Sequence, residues 1–267
     1  MKKMNNTDRK KIIQEYYSRR SKNYDRQKSR TWRTSKGFAI EVVNELLNAL
    51  ASFDEKIVLE VGVGSGRNAL FLMEKIRPQF VGLDLSKEML NVARNKLFAY
   101  KKHLDLIQGD AEHMPFVAQT FDEILCMSTM HYLDSQQEML KRFSTVLKEK
   151  GTFFYGDLTI HELDNNGFFE VLEKTLSKAH RRYCKPSEIK KLIEKSGFCI
   201  SRVKTVAYRK SYDSLMEDKG KYFDVAPEKL QEHVRRATLD EKEHYDLTAT
   251  ELTLYYTTIT ATRTEAQ

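Results

Sequence analysis

An open α/β fold, with a largely parallel sheet between two layers of helices, is what this sequence predicts, and three observations predict it. Apolar strand-like segments alternate with helical stretches from residue 56 to about residue 208, which is the pattern of crossover units. The first of those strands runs into a glycine-rich turn, Gly62-Val63-Gly64-Ser65-Gly66. The 267 residues suffice for one large domain with a full core and room for a small cap.

The elements follow in order. Residues 7–34 are polar and aromatic, with Tyr16, Tyr17, Tyr24 and Trp32 as large anchors. Phe38, Val42, Val43, Leu46, Leu47 and Leu50 then recur at helical spacing. Lys56 to Val61 reads as a buried strand, and the glycine turn leads to a helix over Asn68 to Ile76. Phe80 to Leu83 is a second strand ending at Asp84, and Ser86 caps a helix that runs to about Leu97. Leu104 to Gln108 is a third strand, and Ile124 to Met127, introduced by Phe121-Asp122, a fourth. Ser135 and Glu138 form a capping box for a helix to Leu147, which Lys150-Gly151 is expected to close. Thr152 to Tyr155 is a fifth strand, Pro186 to Lys195 a helix stopped at Gly197, Phe198 to Tyr208 a sixth strand and Leu252 to Thr262 a seventh.

Composition narrows the function classes. Charged residues make up 31% and hydrophobic ones 40%, as in a globular soluble protein. The formal net charge is +7 and the pI about 9.1, so nucleic acid or another anionic partner is possible. The dense basic stretch (Lys2, Lys3, Arg9, Lys10, Lys11, Arg19, Arg20, Lys22) lacks the aromatic-and-basic signature of an RNA-binding module and reads as a solvated helix face. Cys126, Cys184 and Cys199 are too few and too scattered for a disulfide framework or a metal knuckle, and no metal is expected. No apolar run approaches the roughly 18 residues of a membrane span, and the polar, basic N-terminus has no signal-peptide core. A cytoplasmic location is the expectation.

The chemistry is carried by the glycine turn and the acids around it. Glycine is needed where a Cβ would strike a ligand or where φ must be positive, and the following helix offers unpaired N–H groups. A plain strand-to-helix turn is the alternative. A dinucleotide fingerprint would want its third glycine at position 67, where Arg67 stands, which disfavours a nicotinamide oxidoreductase. Glu60, which precedes the first glycine by two residues, is expected among the cofactor-binding residues beside the ligand. Asp84, 22 residues after Gly62, stands where an acid reaches ribose hydroxyls in nucleotide sites; the alternative is a surface Asp capping the next helix. Asp110, in Gly109-Asp110-Ala111-Glu112, can accept from an adenine amino group.

Together, Glu60 to Gly66, Gly82-Leu83-Asp84-Leu85-Ser86, Gly109 to Glu112 with Met114-Pro115-Phe116, and Phe121-Asp122 resemble the class I S-adenosylmethionine-dependent methyltransferases, and more narrowly their ubiquinone/menaquinone-type branch. The resemblance covers about residues 55–160, with weaker support from Tyr16 to Asp25 and from Pro186 to Val203. It implies a Rossmann-like seven-stranded sheet, mostly parallel with the last strand antiparallel, as one methyltransferase domain. Residues 1–50 would be an N-terminal helical arm, 51–160 the core that binds S-adenosylmethionine, and 161–267 a C-terminal half with a helical insertion at 210–250 before the last strand.

The same resemblance assigns roles. Gly62, Gly64 and Gly66 would lie beside the methionine portion of the donor, Asp84 would hold the ribose, and Leu85 would pack on the adenine. Asp110 and the Ala111 backbone would meet the adenine edge, and Met127 would line the pocket near the sulfonium. Tyr24-Asp25 would belong to an arm closing over the donor.

Methyl transfer from a sulfonium needs alignment and a dry site, and a base only where the acceptor must lose a proton early. His131 is a candidate base, its ordinary pKa lying near 6.5, and Tyr132 a candidate beside it; a structural or pocket-shaping role is the alternative for both. The Asp/Asn-Pro-Pro-Tyr/Phe motif of amino-methylating DNA and protein enzymes is absent where Cys126 to Tyr132 stands. A small-molecule or lipid-like acceptor is therefore expected, with S-adenosylhomocysteine as product; RNA or protein methylation and a non-catalytic scaffold that binds the donor are the alternatives. Residues 157–185 and 210–250 are the expected acceptor-side insertions, the helix-like Pro227 to Ala237 forming either a lid or padding at the sheet edge.

Overall fold

The computed structural model describes residues 5–25, 36–49, 56–75 and 78–264. Lys2, Lys3, Trp32, Leu50 and Ile76 lie outside the described residues, as does the side chain of Phe38. The strands are β1 (Ile57–Val61), β2 (Gln79–Asp84), β3 (Leu104–Gln108), β4 (Phe121–Met127), β5 (Leu147–Thr159), β6 (Phe198–Ser211) and β7 (Glu251–Arg263). They form one sheet in the order β3-β2-β1-β4-β5-β7-β6. β1 through β5 pair in parallel, and β7 runs antiparallel to both β5 and β6. The chain order reverses between β1 and β4, so a crevice opens at the carboxyl ends of these two strands.

Side chains alternate across the sheet with period two. Leu59, Ile124 and Phe153 face one layer, where they pack on Met139, Leu140, Phe143 and Val146 of the helix α5 (Gln136–Val146). Their chain neighbours Val58, Leu125 and Phe154 face the other. That second layer comprises α2 (Lys36–Ala49), α3 (Arg67–Lys75) and α4 (Lys87–Lys96), through Leu46, Leu72, Met73, Leu90 and Ala93. α4 is capped as expected: Ser86 Oγ accepts from the Met89 amide.

Two local expectations fail around α5. Ser135 Oγ does accept from the Glu138 amide, but the Ser135 amide donates to Glu112 Oε1 and Glu138 pairs with Lys141. The capping box is therefore only half formed, because a carboxylate from another segment takes the second donor. Nor does Lys150-Gly151 close this helix. The helix ends at Val146 and β5 begins at Leu147. Pairing then jumps from Phe121↔Leu147 to Glu123↔Thr152, so residues 148–151 bulge out, with Lys150 at φ +60°.

A third apolar cluster lies beyond the sheet. It joins α6 (Phe168–Leu176) to the segment between β6 and β7, which holds α8 (Tyr212–Asp218), α9 (Pro227–Arg235) and α10 (Leu239–His244); α7 (Pro186–Lys195) packs with α5 instead. Phe168, Phe169, Leu172 and Leu176 meet Leu215, Leu230 and Tyr245 there. Asp164 ties the two insertions together. Its carboxylate accepts from the amides of Gly167, Phe168 and Phe169 at 2.8–3.1 Å and from the Tyr245 hydroxyl at 2.8 Å. The N-terminal helix α1 (Asn6–Ser21), opened by Asn5 accepting from the Asp8 amide, reaches this cap through buried Tyr16, whose ring stacks on Phe223 at 5.0 Å.

Replacing Asp164 with alanine removes the N-terminal acceptor of α6 and strands a buried phenol, which should cost roughly 2 kcal/mol or more. Hydrogen exchange should quicken first in residues 164–176 and 239–247, with β1 unchanged; uniform loss of protection would contradict this division of the fold.

Candidate active site

The turn after β1 is built for close approach. Gly62, Gly64 and Gly66 all take positive φ, +75°, +54° and +72°. A Cβ on Gly62 would stand 2.0 Å from Thr129 Oγ1, so the chain packs directly against the loop after β4. A Cβ on Gly64 would make only ordinary contacts, with Met89 Cε at 3.5 Å and the Gly62 carbonyl oxygen at 3.9 Å, so there a side chain would have room. The amides of Gly62 and Val63 both donate to the Leu83 carbonyl at 2.8 and 3.1 Å. Asp84 completes the clamp, with Oδ2 accepting from the Gly64 amide at 2.7 Å and Oδ1 from the Ser86 amide at 2.8 Å. Burial raises the Asp84 carboxyl to about 6, against the pull of these backbone donors.

This turn forms the floor of a cavity of about 220 Å³ at the carboxyl ends of β1, β2, β4 and β5. Of the residues expected from sequence, Tyr24, Gly62, Gly64, Asp84, Leu85, Asp110, Ala111, Met127, His131 and Tyr132 line it. Glu60 and Gly66 are not in its wall. Glu60 is buried behind the turn, where Oε1 accepts from Asn68 Nδ2 at 2.9 Å and Oε2 has no hydrogen-bond partner. Gly66 makes room for α4: a Cβ there would come within 2.7 Å of Leu97 and 3.1 Å of Ala93.

α1 lies across the mouth. Lys10 Nζ contacts Asp110 Oδ2 at 2.5 Å and Glu112 Oε2 at 2.6 Å. Partial burial would raise the Asp110 carboxyl, but Lys10 and the Glu112 amide hold it below the usual carboxylate range. Gln14 donates to the Leu85 carbonyl, and the Tyr17 hydroxyl donates to the Tyr132 hydroxyl at 3.0 Å. Beyond α1, Ser65 Oγ donates to Asp25 Oδ1, and Lys96 bonds both. Tyr24 lies under the Arg20 guanidinium at 4.9 Å.

On the other side of Met127 the wall is aromatic and polar. His131 Nδ1 stands 2.9 and 3.0 Å from the two carboxylate oxygens of Asp157, at the end of β5. Tyr183, Tyr208 and Tyr256 complete this wall, and Lys219 reaches it from the β6–β7 insertion. Burial holds the phenols of Tyr17, Tyr132 and Tyr183 well above their usual range, so they are neutral donors. Asp157, Tyr208 and Tyr256 carry no sequence signal. They come from segments far apart in the chain and meet because β5, β6 and β7 are neighbours.

Comparison with known proteins agrees with this geometry. A family model described as a methyltransferase domain matches residues 58–151, from β1 into β5. Residues 58–151 carry a methyltransferase domain. Over 114 residues it is 34% identical to a fatty-acid O-methyltransferase of Mycolicibacterium smegmatis, covering 41% of this chain and 39% of that one. A phthiotriol/phenolphthiotriol dimycocerosates methyltransferase of Mycobacterium tuberculosis is 33% identical over 108 residues, 39% of this chain and 38% of the relative. The chain thus spans about two fifths of the length of these curated relatives. A Bacillus halodurans protein described as a methyltransferase superimposes with a TM-score of 0.76 at 22% identity, covering 83% of this chain and 98% of that one, which establishes a shared fold. The methyltransferase domain begins at the strand that carries Glu60 and includes Asp84 and Asp110; His131 falls within it and Asp157 beyond it.

Burial pushes the Glu60 carboxyl up to about 8, partly offset by Asn68 and Arg67, whereas unfolded Glu titrates near about 4.3. The folded state then holds a proton that the unfolded state releases. The stability this contributes is full below about 4.3 and is lost as pH rises through about 8. Relative to the Glu60→Gln variant, the wild-type urea midpoint should fall progressively between about pH 5 and about pH 8; parallel curves would show that Glu60 ionises normally.

Proposed function

We propose that this chain transfers a methyl group from S-adenosylmethionine to a small, lipid-like organic acceptor. The observation that carries this reading is Asp84. An ionised carboxylate offers about four lone-pair positions, and the amides of Gly64, Ser86 and Leu85 donate to it. The acceptor capacity that remains lies at the edge of the cavity, where a ribose hydroxyl would meet it. Beside it the bare backbone of Gly64 leaves space in which a side chain would stand.

The rest of the cavity fits the same nucleoside. Leu85 and Ala111 give apolar contacts for a purine, and Asp110 an acceptor for its amino group. Gly62, Gly64, Asn68 and Met127 border the place for the methionine portion, while Glu60 and Gly66 hold the turn in shape from behind. Tyr24, Lys10 and Tyr17 exclude water from above. When bound, the donor supplies an activated methyl group on a positively charged sulfur. The protein's own work is alignment and desolvation.

The acceptor side is lined by His131, Tyr132, Tyr183, Tyr208 and Tyr256, with Lys219 reaching it from the β6–β7 insertion. An aromatic chamber of this size suits a small acceptor better than RNA or a folded protein. Similarity to enzymes named for fatty-acid and phthiotriol substrates supports a lipid-like acceptor. Among the described residues no helix is long and apolar enough to cross a membrane.

Calorimetric titration with S-adenosylhomocysteine, with NADH as control, tests the donor assignment. The wild type should bind the first and not the second. Asp84→Ala should bind about 10- to 100-fold more weakly, the loss of hydrogen bonds to a charged group. Binding of NADH, or equal affinity in the variant, would overturn the reading.

A further inference from the structure

His131 and Asp157 form a pair whose arrangement specifies a proton acceptor, and its use in catalysis rests on the methyl transfer proposed for this site. His131 is 6% exposed and Asp157 2%. An ionised carboxylate only accepts hydrogen bonds, so the contact at 2.9 and 3.0 Å places a proton on His131 Nδ1, which donates to Asp157. Nε2 is then the nitrogen with the lone pair. Among the described residues Nε2 has no hydrogen-bond partner, and it is absent from the fully buried unsatisfied atoms, so it opens into the cavity that His131 lines.

Every degree of freedom of the ring is fixed. Its own backbone carbonyl accepts from the amides of Arg181 and Arg182 at 3.0 and 3.1 Å. Its faces lie against Tyr132 and Tyr183, with centroids 4.0 and 4.8 Å away. Asp157 is fixed in turn by β5 and by the Leu158 amide, which donates to Oδ1. A histidine that only filled space would not need a bidentate carboxylate at its back and a bare nitrogen toward the chamber.

We propose that His131 is the general base for an acceptor hydroxyl, oriented by Asp157, so that the chain O-methylates an alcohol or phenol. As the hydroxyl oxygen bonds to the methyl carbon, the carbon–sulfur bond breaks and its electron pair stays on the sulfur, leaving a neutral thioether. The hydroxyl proton passes to His131 Nε2, and the imidazolium so formed lies against the Asp157 carboxylate. A hydroxyl is the acceptor that needs this help. A carboxylate has no proton to lose, and a neutral amine attacks through its lone pair before deprotonation.

The test uses the full chain. With S-adenosylhomocysteine bound, nitrogen NMR of labelled histidine should show His131 protonated at Nδ1 and bare at Nε2, and Asp157→Asn should abolish that preference. With labelled S-adenosylmethionine and octan-1-ol, 4-nitrophenol, octanoic acid and octylamine as probes, label should appear in a hydroxyl probe. His131→Gln should lower kcat by at least about 100-fold, the range of general base catalysis, while KM and S-adenosylhomocysteine affinity stay within about threefold of wild type. Asp157→Asn should lower kcat by a smaller factor with KM unchanged. The inference is overturned by undiminished kcat in His131→Gln, by a proton on Nε2 in the wild type, or by label confined to the acid or the amine. Absence of label from every probe while S-adenosylhomocysteine binds also overturns it. Failure of the wild type to bind S-adenosylhomocysteine would instead sink the methyl-transfer reading itself.

Discussion

The candidate site depends on one half-buried carboxylate that ties the turn after β1 to the tip of β2. Asp84 ends β2, and its two oxygens accept from the Gly64 amide on one side and the Ser86 amide on the other. Leu83, one residue earlier, accepts from Gly62 and Val63. The turn after β1 is thereby fastened to the tip of β2 by three hydrogen bonds, from Gly62, Val63 and Gly64, and the glycines are what let the chain take the three positive φ values required. The arrangement leaves a charge in a place where burial opposes it, as the raised Asp84 carboxyl records. Donors arriving from a ligand would favour the ionised form, so binding energy is available at the point where the fold is least comfortable.

Around that clamp, the chamber is assembled from parts of different strength. Tyr16 anchors α1 to the cap by buried stacking on Phe223 and a hydrogen bond to the Asp218 carbonyl. The end of α1 over Asp110 is held by Lys10, at a site one-fifth exposed. Pairs of this kind contribute little each, about 0–1 kcal/mol when solvent reaches them. The apolar anchor therefore fixes where α1 lies, and the ion pairs set how its end meets Asp110 and Glu112. The cap has its own core and its own keystone in Asp164, so acceptor-side shape can vary without disturbing the turn at Gly62.

Much of this was legible in the sequence, for physical reasons. Strand-like runs at 56–61, 80–83, 104–108 and 124–127 read cleanly because they are apolar and, outside β3, largely buried in a parallel sheet, and the helix after the second carries its side-chain cap in Ser86. The acids at strand ends and the glycine turn read cleanly because their chemistry is local. What failed was whatever a distant residue decides. Glu112 takes the Ser135 amide and undoes half of the expected capping box. Pairing with β4 converts Lys150-Gly151 from a helix stop into a bulge. Asp157 could not be joined to His131 from spacing, since the pairing of β4 with β5 brings them together. Glu60 and Gly66 were expected beside the donor because motif membership does not say which side of the turn a residue faces.

The most direct measurement is a crystal structure of the full chain grown with S-adenosylhomocysteine. Both ribose hydroxyls should then lie on the Asp84 carboxylate, and the purine between Leu85 and Ala111 with its amino group on Asp110. The sulfur should point past Met127 toward His131. A ligand on the outer surface of α1, or ribose hydroxyls that make no contact with Asp84, would contradict the donor assignment.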